Sequence, residues 1–161
     1  MEPRELFVIE LGKMLYVERT LADEVLPKLL SEVENKHFRE ALDKHLGETR
    51  EQVARIEQVF DLVGEAPRAE PSEAFDGLRR DHEKLVATMV SGQLRDLAAA
   101  TSAAHTEHHE ISAYHSLMTL ASILGEPDAV HLLEQSLHEE EEALEKVEKS
   151  VPEELTTQLV V

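Results

Sequence analysis

A chain of 161 residues, 42% hydrophobic and 31% charged, carries enough apolar surface for one compact domain with its own core and needs no second domain. It contains no cysteine, which excludes a disulfide framework, thiolate metal sites and a cysteine nucleophile. Thirty-four acids against 16 bases give a formal charge of −18, which argues against nucleic acid and anionic membranes as partners; it favours cations, although an acidic surface also simply keeps a helical protein soluble.

Aromatic residues make up only 4% of the chain, Trp is absent, and Ala, Leu, Glu and Val dominate, a helical composition. The opening Met1-Glu2-Pro3-Arg4-Glu5 lacks the basic stretch and apolar run of a leader, and no segment reaches transmembrane length, so a cytoplasmic protein is expected. Pro3 suits the first turn of a helix predicted over residues 3–33, in which Phe7, Leu11, Met14, Leu21, Val25 and Leu29 recur at spacings of three and four. Pro27 should kink it by crowding the carbonyl of Asp23. Asn35 can cap a second helix over 36–63, with the stripe Phe38, Leu42, His45, Glu48 or Thr49, Gln52, Ile56 and Val59. After a loop rich in Gly and Pro, Ser72 can cap a shorter helix over 72–90. Gly92 breaks the chain before a helix over 93–124, which Gly125 stops; Pro127 opens the last helix, over 127–150, and Pro152 should close it, leaving a tail that docks or frays. Together these predict an all-α fold occupying residues 1–161: an antiparallel four-helix bundle with one extra short helix between its second and third long helices.

Glu18, Glu48, Glu110 and Glu140 each stand where the helical period calls for a core residue, one on each long helix, near mid-length. Burying an ionised carboxylate costs several kcal/mol unless it is protonated, paired or bound to a cation, so four together point to a metal. Thirty positions separate Glu18 from Glu48, and thirty separate Glu110 from Glu140, as two similar hairpins meeting at one level would require. The usual arrangement of di-iron bundles adds a Glu-x-x-His pair on each of two helices. This chain has neither; it offers the reverse order in His45-Leu-Gly-Glu48, and Glu107-His108-His109-Glu110 on the third long helix. Hard oxygen ligands with one or two imidazoles suit iron best, with manganese or zinc as alternatives.

The run His45-Leu-Gly-Glu48-Thr-Arg-Glu-Gln52, with Leu15-Tyr16-Val-Glu18 before it and Glu107-His108-His-Glu110-Ile-Ser-Ala-Tyr114 after it, resembles the YciE/YciF-type ferritin-like proteins, from about Leu6 to Val147. The resemblance implies a ferritin-like bundle, a homodimer, a centre of two metal ions, and a ferroxidase or stress-related role. It marks Glu18, His45, Glu48, Glu107, His108, Glu110 and Glu140 as the site neighbourhood. On the last helix, register favours Glu140, with Glu139 as the alternative among four consecutive acids; His108 and His109 cannot both face the site. Gln52 is expected beside the ligands in preference to a plain buried hydrogen bond, and Tyr114 as a radical or hydrogen-bonding partner, although an ordinary amphipathic Tyr explains it at least as well. His105, His115, His131 and His138 read as ordinary surface histidines.

Three functions are compatible with these features. The first is a pair of iron ions oxidised from the ferrous state by oxygen or peroxide. The second is a metal-free dimeric helical scaffold whose glutamates face solvent or an interface. The third is turnover of an organic substrate, which needs a channel lined by small or apolar residues.

Overall fold

The computed structural model of the protein describes residues 1–90 and 92–159, and the described residues are helices and their connections, without strands. None of these helices is long and apolar enough to cross a membrane. Helix α1 (Pro3–Thr20) begins where the Glu2 amide donates to Glu5 Oε2 at 2.9 Å. It runs through a π-helical turn, Leu21–Val25, into α2 (Leu26–Glu32). Pro27 explains the turn. Proline lacks an N–H and collides with the carbonyl four residues back, and widening the preceding turn relieves both problems. The Leu26 amide accordingly donates to Leu21 O, five residues back.

The same device recurs at the other end of the chain. After α6 (Pro127–Glu145) comes a π-helical turn, Lys146–Ser150, in which the Val151 amide reaches Lys146 O, and Pro152 follows directly. Pro152 therefore does not close the last helix. The chain continues as α7 (Val151–Leu159), which buries Val151 and Leu155 against the core and packs on the long helix α5. The tail is helical as far as Leu159 and docks through Val151 and Leu155, and Val160 and Val161 lie outside the described residues.

Helix α3 (Lys36–Leu62) starts at Asn35, whose side chain accepts from the Phe38 amide at 2.8 Å. A second cap comes from afar: Asp96, buried in the first turn of α5 (Gln93–Leu124), accepts from the amides of Glu34 at 3.1 Å and Asn35 at 2.6 Å. This carboxylate fixes the start of one long helix to the start of the next. Helix α4 (Glu73–Val86), capped by Ser72, ends four residues short of the predicted 90. It docks through Phe75, whose ring meets Tyr16 edge-on at 6.4 Å, and through Asp76, which accepts from the Tyr16 hydroxyl at 2.8 Å. Helix α5 ends at Gly125, whose φ of 74° is the left-handed stop that glycine adopts without steric cost.

Helix α1 packs on α3 and α5, and α6 packs on the same two, so four long segments close a ring around one core. The loop of residues 65–71 is pinned across α1, where the Glu70 amide donates to Gly12 O at 2.9 Å. A Cβ at Gly12 would sit 2.9 Å from the carbonyl oxygen of Arg68 and 2.8 Å from Glu70 Cγ, whereas Gly47 on α3 has nothing within 4 Å. Gly12→Ala should therefore lower stability by about 1–3 kcal/mol through overpacking, while Gly47→Ala should raise it by about 0.5–1 kcal/mol through helix propensity. Urea unfolding midpoints of the two variants read this opposition directly, and a stabilised Gly12→Ala would contradict the packing described.

Candidate metal centre

Each wall of the core brings one polar line to the same depth. On α5 the buried line passes through Ala100, Ala104, Glu107, Glu110, Tyr114, Leu117 and Ala121, the spacing of one helix face. On α6 it is Ala129, Leu133, Ser136, Leu137, Glu140 and Ala143; on α1, Leu11, Met14, Leu15 and Glu18 precede Leu21. On α3 it runs Phe38, Leu42, His45, Thr49, Gln52 and Ile56. Thr49 adds a hydroxyl that donates to His45 O at 2.9 Å.

One ligand atom from each of His45, Glu107, Glu110 and Glu140 lies within 4.8 Å of the others. His45 Nε2 is 3.4 Å from Glu107 Oε1 and 3.9 Å from Glu140 Oε2. Glu18, Glu110 and Glu140 are wholly buried, and Glu107 is 4% exposed. Their oxygens are largely without hydrogen-bond donors: both of Glu110, both of Glu140, Glu107 Oε2 and Glu18 Oε2. The other Glu18 oxygen accepts from the Tyr114 hydroxyl, which is itself fully buried. Unpaired buried polar atoms are rare in folded proteins, and several at one point call for a missing partner.

Burial pushes the carboxyl groups of Glu18, Glu107 and Glu110 well above the usual carboxylate range, and the neighbouring Glu140 charge pushes each further. The Tyr114 hydroxyl is also driven up, by burial and then by Glu18. Glu48 behaves differently. The His45 imidazole, 3.9 Å away, and then Lys44 hold its carboxyl down to about 2, and 18% of its side chain is exposed. The core line of α3 passes through Thr49, so Glu48 stands at the rim and is no buried uncompensated charge.

Two sequence alternatives separate cleanly. Glu139 turns to Arg55, which donates to both of its oxygens at 2.7 Å, and Gln52 Nε2 joins it at 3.1 Å; Glu140, about 100° around the helix, turns inward. Gln52 thus sits beside the cluster and holds Glu139, the neighbour of Glu140. Arg55 escaped the sequence reading, although it lies three residues beyond Gln52 on the same face. His108 lies apart from the cluster: its side chain is 58% exposed and faces Glu148 at 2.8 Å. The reason is rotational, because Glu107 and Glu110 occupy the buried face and the residue after Glu107 points about 100° off it. His109 is half-buried and outside the cluster, its imidazole pushed down by burial against an opposing pull from Glu10.

A cavity of about 300 Å³ opens onto the cluster, with His45, Glu48 and Glu107 in its wall. A cavity of this kind is invisible to periodicity, since it depends on what five different helices leave unfilled.

The family model that matches residues 2–160 is described as "Domain of unknown function (DUF892)". Protein YciF of Escherichia coli strain K12 is 31% identical over 137 residues, which cover 84% of this chain and 82% of that protein. Among solved structures, YcfI of Rhodopseudomonas palustris, whose description proposes a structural role, superposes with a TM-score of 0.89 at 30% identity over 92% of this chain and 94% of that one. The E. coli stress protein YciF superposes with a TM-score of 0.87 at 28% identity, covering 93% and 94% respectively.

The raised carboxyl groups, pushed well above their ordinary range, favour acid stability in the metal-free protein, against the opposite contribution of the lowered His82 and His109 imidazoles. A group with a folded pKa above its unfolded value adds stability that is full below the unfolded pKa and is lost as pH rises through the folded one. Glu18, Glu107 and Glu110 are of this kind, so metal-free protein should melt at a higher temperature near pH 5.5 than near pH 8. Glu110→Gln, neutral at every pH, should flatten that dependence in thermal melts, and an unchanged slope would show that Glu110 is charged in the fold.

Proposed function

For a chain that belongs to the DUF892 family, and whose similarity to YciF spans most of its length, we propose the role of a ferritin-like carboxylate protein that binds two metal ions, iron by preference. The four long segments act as the ferritin-like bundle, and the reaction is oxidation of Fe(II) by oxygen or peroxide. A stress-related setting follows the description of the E. coli relative. The carrying observation is the set of buried carboxylate oxygens around His45 that have no donor in the protein.

The residues fit a metal on chemical grounds. Oxygen donors dominate, one imidazole joins them, and sulfur is absent, a set that matches iron or manganese better than copper or structural zinc. Glu107, Glu110 and Glu140 with His45 form the nucleus, and Glu18 and Glu48 flank it, giving five carboxylates and one imidazole. Carboxylates have two oxygens each, so this number suffices for a pair of ions that share ligands. Bound iron or manganese supplies redox chemistry that no side chain here provides.

The chain's own groups hold this set in place. The Tyr114 hydroxyl fixes one oxygen of Glu18 and leaves the other turned to the core. Lys44 tethers Glu48 at the rim. The fork of Arg55 on Glu139 sets the rotation of α6 about its axis and so keeps Glu140 inward. Protons that the buried acids hold without metal must leave when an ion binds, so loading releases protons.

The competing reading is a metal-free scaffold, in line with the role proposed for YcfI. Elemental analysis after anaerobic reconstitution separates the two. The metal reading expects close to two Fe per chain in the unsubstituted protein, and Glu110→Gln should reduce this at least about tenfold in affinity while raising the melting temperature of the metal-free form. Sub-stoichiometric metal after reconstitution would leave the scaffold reading in place.

A further inference from the structure

The 300 Å³ cavity beside the cluster is at the lower end of the size range of small-molecule sites. Its floor is a stripe of small residues on α5: Ala99, Ser102, Ala103 and Thr106, ending at Glu107. Side chains of this size cannot reach the apolar wall opposite, formed by Leu29, Leu42 and Phe75 among others, and the space between stays open. Eight residues separate Ala99 from Glu107, so the floor runs for roughly 12 Å at the α-helical rise.

The two ends are polar, and each holds a buried atom that makes no hydrogen bond, His45 Nδ1 standing 3.9 Å from Glu48 Oε2. At the inner end are His45 Nδ1 and Glu107 Oε2, on side chains 6% and 4% exposed. At the outer end is His82 Nδ1. Five carboxylates line the cavity, those of Glu24, Glu32, Glu48, Glu83 and Glu107, against the three cations Lys28, Arg79 and Lys146, and Arg79 already pairs with Glu24 at 3.1 Å. The whole chain carries a formal charge of −18. An anionic head group is disfavoured at either end, and a neutral one that both donates and accepts a hydrogen bond is suited to the inner end.

We propose that this cavity binds an uncharged aliphatic molecule with a single hydroxyl-type head, its chain lying along the Ala99–Ala103 floor and its head toward His45 and Glu107. The site goes beyond metal binding and does not need it. The carboxylate and imidazole groups orient the head, and the small side chains of α5 give the tail its room. A molecule lodged there would sit against the cluster, within reach of whatever the cluster holds.

The test uses 1-octanol and octanoate with metal-free full-length protein, measured by isothermal titration calorimetry, alongside Ala103→Leu. We expect 1-octanol to bind at one site, octanoate to bind at least about tenfold more weakly because its charge would be desolvated among acids, and Ala103→Leu to abolish octanol binding. Ala103 contacts the cavity and is not a member of the cluster, so circular dichroism and retained iron stoichiometry in Ala103→Leu separate a filled cavity from a disrupted fold. Ala99→Leu, at the other end of the floor, gives a second blockage if the first variant folds poorly. Equal affinity for octanoate, no octanol binding, or octanol binding undiminished in the folded variants would each overturn the proposal. Because the titration is read without metal, its failure is distinct from a failure to load iron.

Discussion

Everything about the centre of this molecule turns on carboxylates taken out of water without donors to replace it. Removing an ionised carboxylate from water costs several kcal/mol even after the protein relaxes, a large part of the margin that holds a domain of this size together. Glu18, Glu107, Glu110 and Glu140 are buried together, and the oxygens of Glu110 and Glu140 have no hydrogen-bond donor. The metal-free chain can tolerate them only by keeping protons on them, which is the sense in which burial drives three of them upward. A divalent cation resolves the same strain differently, replacing protons with a charge that all the oxygens can share. On the proposed reading, the fold is organised around the second of these states.

The rest of the architecture serves to hold that group at one depth. Asp96 links the start of α5 to the start of α3, so the helices bearing Glu107 and His45 have a fixed relative height. Arg55 on α3 grips Glu139 on α6, and that contact chooses which of four successive acids faces inward. Tyr114 ties α5 to Glu18 on α1. Each tie joins two of the four core-forming helices. The π-helical turns before Pro27 and Pro152 let α1 and α6 continue past a proline, and the continuations cover the core: Leu29 of α2 packs there, as do Val151 and Leu155 of α7.

Much of this is readable from the chain, for a definite reason. The helical period tells which face of a helix is buried, and Glu18, Glu107, Glu110 and Glu140 each fall on a buried face that apolar neighbours define. The same period, applied strictly, would have excluded His108 and placed Glu48 beside the core line that runs through Thr49. Relations between helices are another matter. Asp96 reads as an ordinary first-turn acid until α3 is placed above it, and Arg55 reads as a surface base until α6 supplies Glu139. The cavity is a property of five helices at once, and small residues such as Ala99 and Ala103 look equally suited to tight packing. Pro152 misleads because a proline forbids only the narrow turn before it, and a wider turn remains open.

The central claim is that these acids are buried together because they hold cations. Anomalous diffraction across the iron absorption edge, on crystals of protein prepared without chelator and reconstituted anaerobically, tests it at the atoms concerned. The account predicts two iron peaks between His45, Glu107, Glu110 and Glu140, with Glu18 and Glu48 turned toward them. A cluster with the same carboxylate positions, no anomalous peak, and only waters or carboxyl pairs between the oxygens would contradict it.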